Sequence, residues 1–396
     1  MPDDSRVRTA RLPDPVRPSG YRNAPEHGPR ILFFSGGTAL NGVSRVLKAY
    51  THNSVHLVTP FDSGGSSAAV RKAFNMPSIG DLRSRLIALA DENVSGHPEV
   101  CRLFTYRLPK TGSSGKLLEQ LDSMVRGKAG LVADIPGPMR RLIRKQLGYF
   151  RDAMPPAFNL QGASIGNLIL AGGYLNNNEH LDPIISLFSE LVNVLGTVRA
   201  VVNEDLHLVT ELEDGSRLIG QHRLTGKEVA PLVSPVRKLY LSRSLHKVVP
   251  AIPELREKNR RLIREAQLIC YPPGSFYSSL IANLLPVGVG PAIAASPCPK
   301  VYIPSLGTDP EQIGMSLLDT VQRLLEYLRA GNGNDSNNDR LLDFVLLDSR
   351  HGAYPASFPA SLQDTGIQVI DTPLVSRQSA PYYDAGLLVS ALLSLA

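Results

Sequence analysis

The sequence predicts an α/β fold: a mainly parallel sheet with helices on both faces, plus a helical insertion and a β-hairpin. Short, continuously apolar runs recur along the chain, as strands buried on both faces require. Several are followed by a loop rich in glycine and serine, then by apolar residues at helical spacing. Repetition of strand, small-residue loop and helix is the pattern of parallel, helix-covered sheets.

The first unit opens with Ile31, Leu32, Phe33 and Phe34. Residues 35–42, SGGTALNG, form its loop, and Val43, Val46, Leu47 and Tyr50 follow at helical spacing. The second unit has a strand over 55–59, a loop over 60–67 (PFDSGGSS) and a helix from Ala68 to Phe74. The third comes much later, with a strand over 266–271, a loop over 272–279 (PPGSFYSS) and a helix running on through Leu284. Further short strands are expected at 301–303, 344–347 and 369–370.

Residues 1–29 are rich in Pro, Arg and Asp without periodicity, so a disordered basic lead-in is expected before a single α/β domain over 30–396. Within that domain, 110–156 carries helical patterns at 117–125 and 139–150 and reads as a helical insertion. Residues 201–220 read as a hairpin, because Asp214-Gly215 is a turn signal between two apolar stretches. The GNGNDSNND stretch at 331–339 is expected to be a flexible polar loop.

The balance of 43% hydrophobic and 20% charged residues is that of a globular chain rather than a disordered one. A net charge of +6 suits anionic ligands such as phosphates, and equally describes a mildly basic solvated surface. No Lys/Arg run interleaves with aromatics, so nucleic acid is not an expected partner. Cys101, Cys270 and Cys298 are widely spaced, which leaves buried reduced thiols rather than zinc or a disulfide framework. The nine histidines show no paired-metal spacing, and no Ser/His/Asp hydrolase is legible. Without a signal-peptide apolar region or a run long enough to span a bilayer, a cytoplasmic protein with no membrane partner is expected. A homodimer is compatible with the sequence.

Chemistry concentrates in the three loops. Glycines let backbone approach a ligand closely, and a following helix N-terminus offers unpaired N–H groups to an anion. Gly36, Gly37 and Thr38 fit a phosphate contact on that basis; a tight turn that merely packs helix on strand fits the same residues. The spacing is neither GxGxxG nor a Walker A loop. In the second loop, Gly64, Gly65, Ser66 and Ser67 give flexible peptides and hydroxyls, and Asp62 stands at the carboxyl end of a strand, where open α/β sheets bind ligands. Asp62 suits Mg²⁺ beside a phosphate or a ribose, and also suits a simple turn-forming role. Gly80, Asp81, Leu82 and Arg83 read as a helix start with a capping Asp; Arg83 suits a phosphate contact, and a solvent-facing helical Arg is the commoner case. Ser164, Gly166 and Asn167 open an apolar helix; a capped core helix fits, and so does Asn167 facing a ligand. In the third loop, Gly274 repeats the phosphate-loop character, while Ser275, Tyr277 and Ser278 supply hydroxyls for phosphate or sugar.

Taken in order, these segments resemble the family that contains 2-phospho-L-lactate transferase (CofD) and the gluconeogenesis factor YvcK. Gly36-Gly37-Thr38 resembles the family's GGT, Asp62 to Ser67 its DDGGSS, and Gly80 to Arg83 its GDIR. Ser164 to Leu168 is similar to SFGNL, Glu204 to Leu208 with Glu211 to Gly215 to the EDVHL and ELEDG segments of the YvcK branch, and Pro273 to Ser279 to PGSLYTS. The resemblance covers about residues 30 to 390 and implies a Rossmann-like fold with a nucleotide-linked ligand across the strand ends. In the YvcK branch the implied role is regulatory binding of a UDP-sugar. In the CofD branch it is Mg²⁺-assisted transfer of a phospholactyl group from a nucleotide-activated donor. Ser63 stands where the family has a second Asp, which leaves Asp62 as the carboxylate for catalysis or metal.

Overall fold

The computed structural model describes residues 12–14, 16–226, 229–330, 338–362 and 365–396. Its main sheet has seven strands: β1 (Ile31–Ser35), β2 (Val55–Val58), β3 (Thr197–Ala200), β8 (Leu268–Tyr271), β9 (Lys300–Tyr302), β10 (Phe344–Leu347) and β11 (Gln368–Asp371). All pairs are parallel, in the order β11-β10-β9-β8-β1-β2-β3. A second, antiparallel sheet holds β4 (His207–Leu212), β5 (Arg217–Ile219), β6 (Val236–Ser242) and β7 (Pro250–Ala251), in the order β5-β4-β6-β7. The β4–β5 hairpin turns at Asp214 and Gly215, whose φ of +84° is the left-handed conformation such a turn needs.

The apolar runs are continuous because each strand feeds two cores. On one face Ile31, Phe33, Leu268, Cys270, Val301 and Leu346 pack under the helices Asn41–Leu47 and Ala385–Leu395. On the other, Leu32, Phe34, Ile269, Tyr271 and Val345 join Val321 and Leu324 of the helix Leu317–Arg329 and the inner face of the antiparallel sheet. A third core is helical. Between β2 and β3 the chain runs through eight helices from Gly65 to Leu191, and Val58, Val198 and Ala200 tie their core to the sheet. The expected insertion at 110–156 is therefore the middle of a longer helical block, and it holds the helices Ser114–Val125, Gly130–Ala133 and Gly137–Ala153.

The expectation for 1–29 needs correcting where residues are described. Arg17–Asn23 is helical and Pro25–His27 forms a 3₁₀ turn. Tyr21 packs on the core beneath the C-terminal helix, and Arg17 donates to the Ala396 carbonyl at 2.7 Å. These local apolar and terminal contacts outweigh a polar composition. Residues 1–11 and 15 lie outside the described residues, as do 331–337 of the expected polar loop, which ends in a short 3₁₀ turn at Asn338–Arg340. The three cysteines are buried free thiols. No helix among the described residues is long and apolar enough to cross a membrane.

Candidate functional site

Strand order places the three glycine loops side by side. β1 lies between β8 and β2, so the loops that leave their carboxyl ends share one rim of the sheet. The chain turns to opposite sides of β1 here, which is where open α/β sheets carry their ligand crevice. A cleft of about 320 Å³ opens at this rim. From the predicted residues it gathers Gly37, Thr38, Asp62, Gly64, Gly65, Ser66, Ser67, Asn167, Ser275 and Ser278.

Close approach explains the glycines. A Cβ on Gly36 would sit 2.8 Å from Thr59 Oγ1 and 3.0 Å from Ser279 Oγ, so Gly36 lets the three loops meet without itself lining the cleft. Gly37 and Gly65 have φ of +59° and +49°, the left-handed conformation glycine adopts at least cost. Gly64 precedes the helix Gly65–Phe74 and no side chain caps that helix, so its first-turn N–H groups are donors at the cleft floor.

Asp62 fills the turn-forming role, with Oδ1 accepting the Gly64 N–H at 3.0 Å. Its Oδ2 lies toward Gly80, 3.5 Å from where a Cβ on that glycine would stand. Ser66 Oγ accepts from Ser164 N and Asn167 Nδ2, at 3.1 and 3.3 Å, which fastens the second loop to the helix Ile165–Asn176. Ser164 caps that helix through Asn167 N, and Asn167 also lines the cleft. Asn167 is 1% exposed, and its Oδ1 has no hydrogen-bond partner.

Two expectations in the third loop are corrected. Tyr277 is buried, its hydroxyl donates to the Val236 carbonyl, and it does not line the cleft. Ser278 lines the cleft, but its hydroxyl donates to Glu311 Oε1. The amides after this loop are also taken: Phe276 N donates to Asp309 at 2.7 Å, and Tyr277 N and Ser278 N to Glu311 at 2.9 and 2.8 Å. The protein's own carboxylates thus occupy an amide cradle that the sequence alone offers to phosphate. Burial, with Asp309 alongside, pushes the Glu311 carboxyl up to about 7. Gly274, at φ +145°, borders not this cleft but a neighbouring cavity of about 810 Å³ that includes Leu306, His351, Tyr382 and Tyr383, and Ser275 lines both.

The cleft also holds residues that were read otherwise from the sequence, or not singled out there. Arg83 is not solvent-facing: it lines the cleft and donates to Phe104 O at 3.0 Å and to Ser164 Oγ. Burial, and then the Arg107 charge, lower its guanidinium to about 10, so it stays cationic at neutral pH; its Nε has no partner. Gly166 makes room for it, since a Cβ there would meet Phe104 O at 2.4 Å and Arg83 Cδ at 2.7 Å. Arg107 joins the cleft, with Nη1 donating to Gly162 O. Asp81 lines it too, while the helix Gly80–Leu89 has no side-chain cap at its start, so Asp81 is not the capping residue expected. Gln221, His222 and Thr225 arrive from the turn after β5. Nothing in their local sequence marked them; only the packing of the antiparallel sheet brings them here.

Arginines and the Ser66 and Ser67 backbone amides facing one polar crevice suit a phosphorylated ligand. The model of the 2-phospho-L-lactate transferase CofD family matches residues 31–375. This chain belongs to the CofD family. Within the family it is 29% identical to the putative gluconeogenesis factor of Thermotoga maritima over 81% of this chain and 79% of that protein. It is 26% identical to the gluconeogenesis factor of Bacillus subtilis, over 89% of this chain and 92% of the relative. The putative gluconeogenesis factor of a Nostoc strain is 28% identical over 88% of this chain, and the match spans only 61% of that protein's length. The fold matches a crystal structure of a UPF0052-family protein from Bacillus halodurans, with TM-score 0.66 and 24% identity over 92% of this chain and 99% of that one. The CofD-family expectation and the mainly parallel α/β architecture therefore both hold.

Proposed function

We propose that the cleft of this CofD-family chain binds a nucleotide-linked phosphate ligand of the UDP-sugar type in a regulatory role. The observation that carries the reading is the convergence of the β1 and β2 loops with Arg83 and Arg107 on one crevice. The Ser66 and Ser67 amides in the first turn of the helix Gly65–Phe74 and the two guanidinium groups complement phosphate oxygens. Relatives named gluconeogenesis factors favour regulation over turnover. The test is a thermal-shift screen over UDP-sugars and nucleoside diphosphates, with and without Mg²⁺, followed by calorimetry. A ligand present at a hundred times its Kd stabilises the folded state by about 2.7 kcal/mol, a readily measured shift. No shift with any nucleotide sinks the proposal.

A transferase reading is favoured by one specific observation: Asp62 and Asp81 line the same cleft. Among the described residues no group of three or more His, Cys, Asp or Glu side chains gathers to hold a metal by itself. Mg²⁺ is commonly held by one or two carboxylates plus substrate phosphates, and Asp62 Oδ2 fits that arrangement. The ion would supply charge neutralisation at the phosphate, while Arg83 and the loop amides orient it. Mg²⁺-dependent formation of a phosphodiester from a nucleotide-activated donor would establish this activity; intact donor after prolonged incubation would exclude it.

A further inference from the structure

Ser63 and His222 come from different sheets and meet at the cleft wall. Ser63, in the β2 loop, is 9% exposed; His222 lies in the turn Gln221–Arg223 after β5. Ser63 Oγ accepts the His222 backbone N–H at 3.2 Å and lies 2.8 Å from its Nδ1. Gly220, at φ +104°, seats the ring: a Cβ there would come within 2.7 Å of Cε1 and 2.9 Å of Nδ1. Among the described residues Ser63 Oγ has no third partner, and His222 Nε2 has none.

These contacts select a tautomer. A serine hydroxyl has one proton to give and two lone pairs to receive with. If Nδ1 carried the ring hydrogen, both contacts would donate to Oγ, and the hydroxyl proton of a buried serine would be left without an acceptor, which is costly. If the hydroxyl donates to Nδ1, every group is satisfied and the ring hydrogen sits on Nε2. A donor then stands on a cleft wall that already carries Arg83, Arg107 and the first-turn Ser66 and Ser67 amides.

We propose that His222, held as the Nε2–H tautomer by Ser63, donates a hydrogen bond to an anionic phosphate oxygen of the bound ligand. This rests on the phosphate-cleft reading. His222 contacts the ligand, and Ser63 is a positioning residue that acts through it. The antiparallel sheet would thereby contribute a donor to the ligand beside those of the main sheet and the helical block.

Two measurements on the full chain test this. Long-range ¹H–¹⁵N correlation of the imidazoles, with the His222 signals assigned by their loss in His222→Ala, should show the Nε2–H pattern in the ligand-free protein. Ser63→Ala should shift it toward a mixture of tautomers. A wild-type Nδ1–H pattern overturns the proposal without any ligand. In calorimetry with UDP as the probe, His222→Ala should weaken binding on the order of tenfold, while His222→Gln, whose amide still donates, should keep most of the affinity. Wild-type binding with unchanged affinity in His222→Ala overturns the His222 role alone. A wild type that binds neither UDP nor inorganic pyrophosphate overturns the phosphate-cleft reading and this inference together.

Discussion

Arg71 Nη1 donates to the backbone carbonyl of Asp62 at 3.0 Å, and the same guanidinium clasps the start of the antiparallel sheet. It also donates to the carbonyls of Phe61 and Leu206 and pairs with Asp205. Its side chain is 4% exposed, so its charge and its donors are satisfied inside the protein. Breaking a buried pair from one side costs roughly 3–5 kcal/mol; with Asp205 partly solvated, Arg71→Met should fall near the lower figure, about 3 kcal/mol. Urea denaturation measures that loss. Nucleotide affinity should fall as well, because the peptide that presents Asp62 is released.

Asp62→Asn separates the two roles of Asp62. The asparagine Oδ1 can still accept the Gly64 N–H, so stability should change by no more than about 0.5–1 kcal/mol. The charge is gone, so any Mg²⁺ enhancement of nucleotide binding should vanish. A thermal-shift titration with and without Mg²⁺ reads both outcomes. Full Mg²⁺ dependence in the variant would remove Asp62 as the metal's carboxylate.

Gly166→Ala should displace Arg83. The new methyl meets backbone at Phe104 O as well as the Arg83 stem, so relaxation is limited and the cost should be about 1–3 kcal/mol. Pyrophosphate or UDP binding should weaken in parallel. Gly115→Ala is the control: nothing lies within 4 Å of its Cβ and the site is helical, so stability should rise by about 0.4–1 kcal/mol with binding unchanged.

Glu311 predicts a pH dependence of stability. Burial raises its folded-state value to about 7 from an ordinary 4.5. A raised carboxyl binds its proton more tightly in the folded state, so its contribution is complete below about pH 4.5 and is lost as pH rises through about 7. Denaturation midpoints measured across that window should fall with rising pH in the wild type. In Glu311→Gln this component should be absent.

Legibility in the sequence followed local signal. Ile31 to Phe34 and Phe344 to Leu347 are unbroken apolar runs, Val55 to Val58 is broken only by the buried His56, and each is a strand of the main sheet. β6 escaped because Arg237 and Lys238 interrupt Val236–Ser242, and β3 because Arg199 sits in four residues of half-buried edge strand. The loop glycines were legible because their conformational demands are intrinsic to the residue. Arg107 and His222 were not, and Arg83 was legible only as one of two readings, since nothing local distinguishes a cleft-lining cation or imidazole from a surface one. Tyr277 was misplaced because its hydroxyl finds a carbonyl on β6, a strand that the sequence did not reveal.

The helical block leaves the main sheet after Val58 and returns at Thr197, yet β2 and β3 are adjacent, with Val55 opposite Thr197 and Val58 opposite Ala200. Its exit and entry are therefore neighbouring sockets on one scaffold. A different block can be plugged in there during evolution without rethreading a single strand. Asp62, Gly64, Asp81, Arg83, Arg107 and Asn167 travel with that cartridge, whereas Gly37, Thr38, His222 and Ser275 stay with the frame. The two shares of the cleft lining can thus be inherited separately, and chimeras cut at those two sockets are the natural way to exchange one without the other.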